Sequence, residues 1–189
     1  MSIQDEKADI RKIIKQRLSF HRQQENCCLQ EELKTITLLI KSPQYQQSES
    51  ILAYAALAQE FSLDQLIPQA LDGGKKIFLP KSFPHNYSME FYQLKNHLPY
   101  SQQVVSGNYG IREPISGLPK YEDSDKTLVL VPGLAFTRTG QRLGKGKDFT
   151  TDFWLNLIYS SAFLWECAIS ARFWNKFPRR KRTYNLTFF

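Results

Sequence analysis

Four apolar residues in a row, Leu128-Val129-Leu130-Val131, stop at Pro132-Gly133. A run this short, with no polar alternation, reads as a buried strand, and the proline and glycine read as its exit into a loop. Apolar periodicity on either side of it switches between helix and strand. Residues 5–20 carry Ile10, Ile13, Ile14 and Leu18 at helical spacing, with Lys and Arg between them. A second helix is predicted over 26–41 from Leu29, Leu33, Ile36, Leu39 and Ile40, with Ser42-Pro43 ending it. Residues 51–57 read as a buried strand. Ser62 is placed to cap a helix that runs to Leu71 and stops at Gly73-Gly74. Strands follow at 76–79 and 89–93. A long loop containing Pro99, Gly107, Pro114, Gly117 and Pro119 then leads to strand 127–131. A helix at 151–159, a strand at 163–169 and a short helix at 172–176 complete the pattern. Such alternation predicts α/β layers around a largely parallel sheet. Ligands then gather beyond the carboxyl ends of the strands, and Glu60, Lys81 and the 133–147 loop each follow a strand.

The 189 residues are enough for one domain with a sizeable core, and one domain over 1–189 is the expectation. No apolar run approaches the roughly 20 residues of a membrane span. The segment MSIQDEKADIRK is charged and has no apolar centre of the signal-peptide kind. Cys27, Cys28 and Cys167 lack metal-ligand spacing and do not suggest a disulfide framework, so a reducing cytoplasm is expected. The formal charge of +7 suits nucleic acid, a membrane surface or a polyanionic small substrate. Arg179-Arg180-Lys181-Arg182 supplies four of those charges, as a solvated basic run or as a phosphate or nucleic-acid contact. Aromatic residues fall within the predicted strands and helices and do not interleave with lysines as a single-strand stacking platform would. Neither nucleic acid nor membrane is therefore expected as a partner. His21, His85 and His97 form no triad and no metal-binding spacing.

Beyond Pro132-Gly133 the loop closes on Arg142-Leu143-Gly144-Lys145-Gly146-Lys147. Glycines let backbone N–H groups approach phosphate oxygens, and the cationic side chains neutralise charge that amides cannot. The spacing is neither GxxxxGK[ST] nor GxGxxG opening a helix. By residue type alone it is an anion-binding loop or a basic surface turn.

The segment also resembles a family signature. Val131-Pro132-Gly133-Leu134-Ala135-Phe136, followed by Gly140-Gln141-Arg142-Leu143-Gly144-Lys145-Gly146-Lys147, is similar to the VPGLAF and GxRLGxGxG elements of the 5-formyltetrahydrofolate cyclo-ligase family. Tyr109-Gly110-Ile111-Arg112-Glu113-Pro114 resembles that family's FGIxEP element, and Ile77-Phe78-Leu79-Pro80-Lys81 its strand ending in LPK. The matches run in order from Lys7 to about Pro178. The resemblance implies a three-layer α/β fold with an open, mostly parallel sheet and helices on both faces. It also implies a cytoplasmic monomer that joins ATP, with Mg²⁺, to 5-formyltetrahydrofolate, with or without a polyglutamate tail.

The same resemblance distributes roles along the chain. Arg142, Lys145 and Lys147 would contact the transferred phosphate. ATP would lie against Gly140, Gln141, Arg142, Leu143, Gly144, Lys145, Gly146, Lys147, Asp148 and Phe149, with Lys7 and Arg11 of the first helix. Lys7 and Arg11 are four apart and share a helix face, although as plain surface charges they would be unremarkable. Ala55, Glu60, Tyr109 and Phe149 would meet the folate. A carboxylate such as Glu60 suits the donor-rich pterin edge, whereas without the resemblance it would be a solvated loop residue.

Several positions depart from the signature. After Lys147 the family has Gly-Tyr-Tyr-Asp-x-Phe-Leu, but this chain has Asp148-Phe149-Thr150-Thr151-Asp152-Phe153-Trp154-Leu155. Aligned without a gap, the magnesium-binding Asp becomes Thr151. One inserted residue makes it Asp152, the preferred metal ligand. Phe149 keeps an aromatic wall and loses the hydroxyl, and Asp148 sets a negative charge beside the phosphates. Further on, Thr183 and Thr187 stand where the family has acidic residues, and a threonine supplies no charge to a metal. A folate- or nucleotide-binding relative without turnover is therefore the second reading.

Overall fold

The computed structural model describes residues 2–23, 25–57, 60–86, 88–122, 126–137, 142–144, 163–166 and 173–174, some of them (109, 163–166 and 173–174 among them) by backbone alone. Its centre is a five-stranded sheet in the order β3-β2-β1-β6-β9, built from β1 (Ser50–Leu52), β2 (Lys76–Phe83), β3 (Ser88–Gln93), β6 (Thr127–Val131) and β9 (Phe163–Glu166). β1 runs parallel to both β2 and β6, β6 runs parallel to β9, and only β3 is antiparallel.

The strand period of two divides the apolar residues between the two faces of the sheet. Ile51 pairs with Ile77 and Leu128, and all three belong to the larger core. Leu52 pairs with Phe78 and Val129, which with Phe91 and Val131 form the second core on the opposite face. The expected buried strand is thus β6, with all five of its residues buried.

The larger core is covered by helices α1 (Ile3–Arg22), α2 (Glu25–Lys41) and α4 (Leu66–Asp72). α1 opens with a capping box. The Ser2 hydroxyl accepts from the Asp5 N–H at 3.2 Å, and the Asp5 carboxylate accepts from the Ser2 N–H at 2.8 Å. Ile10, Ile14 and Leu18, each four apart, are buried and contribute about 2 kcal/mol apiece. Ile13 lies off that stripe and is exposed, as are Leu29 and Leu33 of α2, while Ile36 and Leu39 fill the core. A helix at 151–159, expected from the sequence, lies outside the described residues.

Several elements differ from the sequence reading. Strand 51–57 ends its pairing at Leu52. Tyr54 then turns the chain by donating its hydroxyl to the Phe61 carbonyl at 3.0 Å. Ser62 does not cap α4. Phe61 and Leu63 are both buried, which holds this stretch in an i, i+2 pattern that no helix can satisfy. The Ser62 hydroxyl instead accepts from the Asp64 N–H at 3.1 Å, and the helix begins at Leu66. Gly73-Gly74 stops it as expected, Gly74 at φ 78°. Ser42-Pro43 both ends α2 and starts the short α3 (Pro43–Gln47). Lys75 closes the far end of α3 by donating to the carbonyls of Tyr45, Gln46 and Ser48.

The long loop is not structureless either. It folds into an antiparallel hairpin of β4 (Val104–Ser106) and β5 (Arg112–Pro114), with a 3₁₀ turn at 108–110 between them. Buried Gln103 fixes its base, accepting from the Lys95 N–H at 2.6 Å and donating to the carbonyls of Lys95 and Leu98, both at 2.8 Å. β7 (Ala135–Thr137) pairs antiparallel with β8 (Arg142–Leu143) and parallel with β10 (Phe173–Trp174). Within the stretch predicted as a short helix at 172–176, Phe173 and Trp174 form a strand instead, because they find partners in Phe136 and Thr137; residues 172, 175 and 176 lie outside the described residues.

Candidate functional site

Because β1, β2 and β6 are parallel neighbours, their carboxyl ends open on one edge of the sheet, where open α/β folds bind ligands. Three segments leave that edge: residues 53–63 after β1, the extension of β2 through Lys81 and Ser82, and the turn at Pro132-Gly133 after β6.

The last of these is the glycine-lysine loop. Gly133 approaches the buried ring of Phe136 so closely that a Cβ there would lie 2.7 Å from Cε1 and nearer still to Cζ, so no larger residue fits. The chain returns through the β7–β8 hairpin, and the Leu134 N–H donates to the Leu143 carbonyl at 2.9 Å. Two arginines fasten this turn from opposite sides. Arg142 donates Nε to the Pro132 carbonyl at 2.6 Å, across the mouth of the hairpin. Arg11 donates Nε to the Gly144 carbonyl at 3.0 Å, tying the first helix to the loop over 133 residues of sequence. Lys7, one turn before Arg11, is half-buried beside it. Arg11 and Arg142 thus bring two guanidinium groups to the turn formed by Pro132 and Gly144. Gly140, Gln141, Lys145, Gly146, Lys147, Asp148, Phe149 and Asp152 lie outside the described residues, as do Thr151 and Thr183.

The segment after β1 carries Ala55, buried, and Glu60, half-buried. Glu60 closes a tight turn. Its N–H donates to the Leu57 carbonyl at 2.8 Å and its Oε2 accepts from the Leu57 N–H at 3.0 Å. Phe61 and Leu63 anchor this turn in the core immediately afterwards.

The β4–β5 hairpin packs against the β2 extension. Glu113 is buried and accepts from the Ser82 N–H at 3.1 Å, while Asn108 Nδ2 donates to the Ser82 carbonyl at 3.1 Å. A Cβ at Gly107 would lie 2.5 Å from Glu113 Oε2, so the hairpin needs glycine there to close over the carboxylate. Tyr109 occupies the turn between the two strands.

Asp64, which no sequence pattern marked, also meets Arg112 of the FGIxEP-like element here. Asp64 accepts from Arg112 at 2.6 Å, and the same guanidinium lies 5.4 Å from the centre of the Tyr100 ring. Burial alone would lower the Arg112 pKa, but the hydrogen bond to Asp64 and the neighbouring charges carry it above its ordinary value. Burial pushes the Tyr100 phenol up to about 12. Asp64 carries no signal in the sequence, and Arg112 fills the variable position of its motif. Only the three-dimensional fold brings them together. Among the described residues no group of three or more His, Cys, Asp or Glu could hold a metal ion, and no helix is long and apolar enough to cross a membrane.

The chain is similar to several known proteins. A probable 5-formyltetrahydrofolate cyclo-ligase of Caenorhabditis elegans is 29% identical over 121 residues, covering 61% of this chain. The chain spans little more than half of that relative's length, 57%. A mouse 5-formyltetrahydrofolate cyclo-ligase is 25% identical over 155 residues, 79% of this chain and 73% of the mouse protein. The solution structure of Aquifex aeolicus 5,10-methenyltetrahydrofolate synthetase has the same fold, with a TM-score of 0.73 over 95% of this chain and 86% of the other at 24% identity. The model of the 5-formyltetrahydrofolate cyclo-ligase family matches residues 3–163, a stretch that includes α1 with Arg11, the Glu60 turn, the hairpin and the loop at Gly144. On that match the chain belongs to the 5-formyltetrahydrofolate cyclo-ligase family.

Proposed function

We propose that this protein converts 5-formyltetrahydrofolate to 5,10-methenyltetrahydrofolate at the expense of ATP, releasing ADP and phosphate. The observation that carries the reading is the pair of arginine bonds at the loop, Arg11 to Gly144 and Arg142 to Pro132, which draw the first helix and the signature loop into one cationic site. The formyl oxygen is a poor leaving group. In this reading it first attacks the γ-phosphorus and ADP departs. N10 of the folate then attacks the activated carbon, phosphate leaves, and N10 gives up its proton.

Positioning and charge stabilisation carry most of such a phosphoryl transfer. Arg142, with Lys145 and Lys147, offsets the charge on the transferred group, while Lys7 and Arg11 support the nucleotide from the first helix. Glu60 accepts from the pterin's N–H groups, with Ala55, Tyr109 and Phe149 as the other walls of the folate pocket. Asp152 would hold the Mg²⁺ that accompanies ATP, and the ion would supply charge neutralisation at the phosphates. The protein is read as a cytoplasmic monomer. Lys145→Ala tests the assignment. Turnover should fall about 100-fold or more with folding intact by circular dichroism, and unchanged turnover would remove the loop from the mechanism.

A further inference from the structure

We infer that the Arg112–Asp64 pair is a positioning latch that sets the Tyr109 hairpin against the Glu60 turn, so that the two walls of the folate pocket face each other. The inference rests on the functional reading above and adds two residues to it. Successive residues of a strand point to opposite sides, and β5 uses this to hold the hairpin from both. Glu113 reaches one way, to the Ser82 N–H on the β2 extension. Arg112 reaches the other way, to Asp64 at 2.6 Å and over the Tyr100 ring at 5.4 Å. Asp64 is a rigid anchor, because it follows Phe61 and Leu63, which are 2% and 0% exposed. Glu60 directly precedes that anchored stretch, and its own turn is closed by Leu57. The latch therefore spans from the segment carrying Glu60 to the hairpin carrying Tyr109, 48 residues apart in sequence. Without it the hairpin keeps its base at buried Gln103 and its contacts to Ser82, but it loses this tie to the segment that carries Glu60.

The side chains of the pair are 38% and 45% exposed. An ion pair so accessible adds little to global stability. Its removal should therefore leave melting unchanged and appear in folate binding. This separates the latch from a structural salt bridge.

The test is a double-mutant cycle of Arg112→Gln, Asp64→Asn and both together, with Lys126→Gln as the control. Lys126 forms a more exposed pair with Glu49 at the opposite end of the sheet. Each latch variant should raise the KM for 5-formyltetrahydrofolate about fivefold, leave the KM for ATP and the Tm unchanged, and speed amide hydrogen exchange over residues 104–114 in the ligand-free protein. The double variant should be no worse than either single one, and the exchanged pair Arg112→Asp with Asp64→Arg should recover part of the loss. If Arg112 instead contacted the substrate's carboxylates directly, Asp64→Asn would leave folate binding unchanged or tighten it, and the latch would be refuted. Equal losses for ATP and folate, or a lowered Tm, would refute it as well. Wild-type protein that binds no 5-formyltetrahydrofolate by titration calorimetry overturns the functional reading and the latch with it. Wild-type binding with indistinguishable variants overturns the latch alone.

Discussion

Substituting alanine for Gly133 probes the turn on which the proposed nucleotide loop hangs. An added Cβ would lie 2.7 Å from Phe136 Cε1 and closer to Cζ, distances that real Cβ atoms do not adopt. The ring cannot withdraw into solvent, because Phe136 is fully buried and its strand is paired on both sides, to Arg142 and to Phe173. Overpacking of this kind costs about 1–3 kcal/mol. Alanine returns roughly 0.4–1 kcal/mol by restricting the unfolded chain. A contact this close falls in the upper half of the overpacking range, about 2–3 kcal/mol, so the net loss is about 1–2.6 kcal/mol, or roughly 2–10 °C in Tm for a chain of this length. Urea denaturation followed by circular dichroism measures the first figure and calorimetry the second. Phe136→Leu supplies the partner arm. If the clash is with the ring, the cost of alanine should shrink by about 1 kcal/mol in that background. A Gly133→Ala change below about 0.3 kcal/mol, or a cost that Phe136→Leu does not alter, would refute the reasoning.

Two other side chains give independent tests. Gln103→Ala deletes one acceptor and two donor contacts beneath the hairpin, and should cost about 3 kcal/mol of unfolding free energy by urea denaturation, at roughly 1 kcal/mol per bond. The Tyr100 hydroxyl is buried with no hydrogen-bond partner among the described residues, so Tyr100→Phe should leave stability unchanged or raise it by up to about 1 kcal/mol. The phenol's pKa is raised to about 12 in the fold, against about 10 unfolded. Its contribution is therefore fully present below about pH 10 and lost as the pH rises through about 12. Tyrosinate absorbance and Tm measured across that window should show the loss in the wild type and a flatter profile in Tyr100→Phe.

Local patterns carried the parts of the fold that local chemistry decides. The continuous run at Leu128 to Val131 announced the central strand, and the Gly73-Gly74 stop marked the end of α4. The four-residue spacing of Ile10, Ile14 and Leu18 marked the core face of α1. Where tertiary demands override local preference, the sequence misled. Ser62 has the chemistry of a helix cap, but burial of Phe61 and Leu63 claims the backbone first. Nothing local to Phe173 and Trp174 reveals that Phe136 and Thr137 await them 37 residues earlier in the chain.

The candidate site divides in the same way. Arg142 and Gly144 were legible from loop composition, and Arg11 only through family resemblance. The bond from Arg11 to Gly144 joins positions 133 residues apart, which no spacing rule could anticipate. Asp64 was invisible for the same reason, since its partner Arg112 lies 48 residues away.

The central claim is a reaction, and its product absorbs light that its substrates do not. Mixing the protein with 5-formyltetrahydrofolate and ATP, with and without Mg²⁺, and following the methenyl-folate absorbance band tests it directly. The account predicts a rise that requires ATP and Mg²⁺ together. No rise, from protein that still binds folate by calorimetry, would contradict the ligase reading and make Asp148 and Thr183 the marks of a relative that binds without turnover.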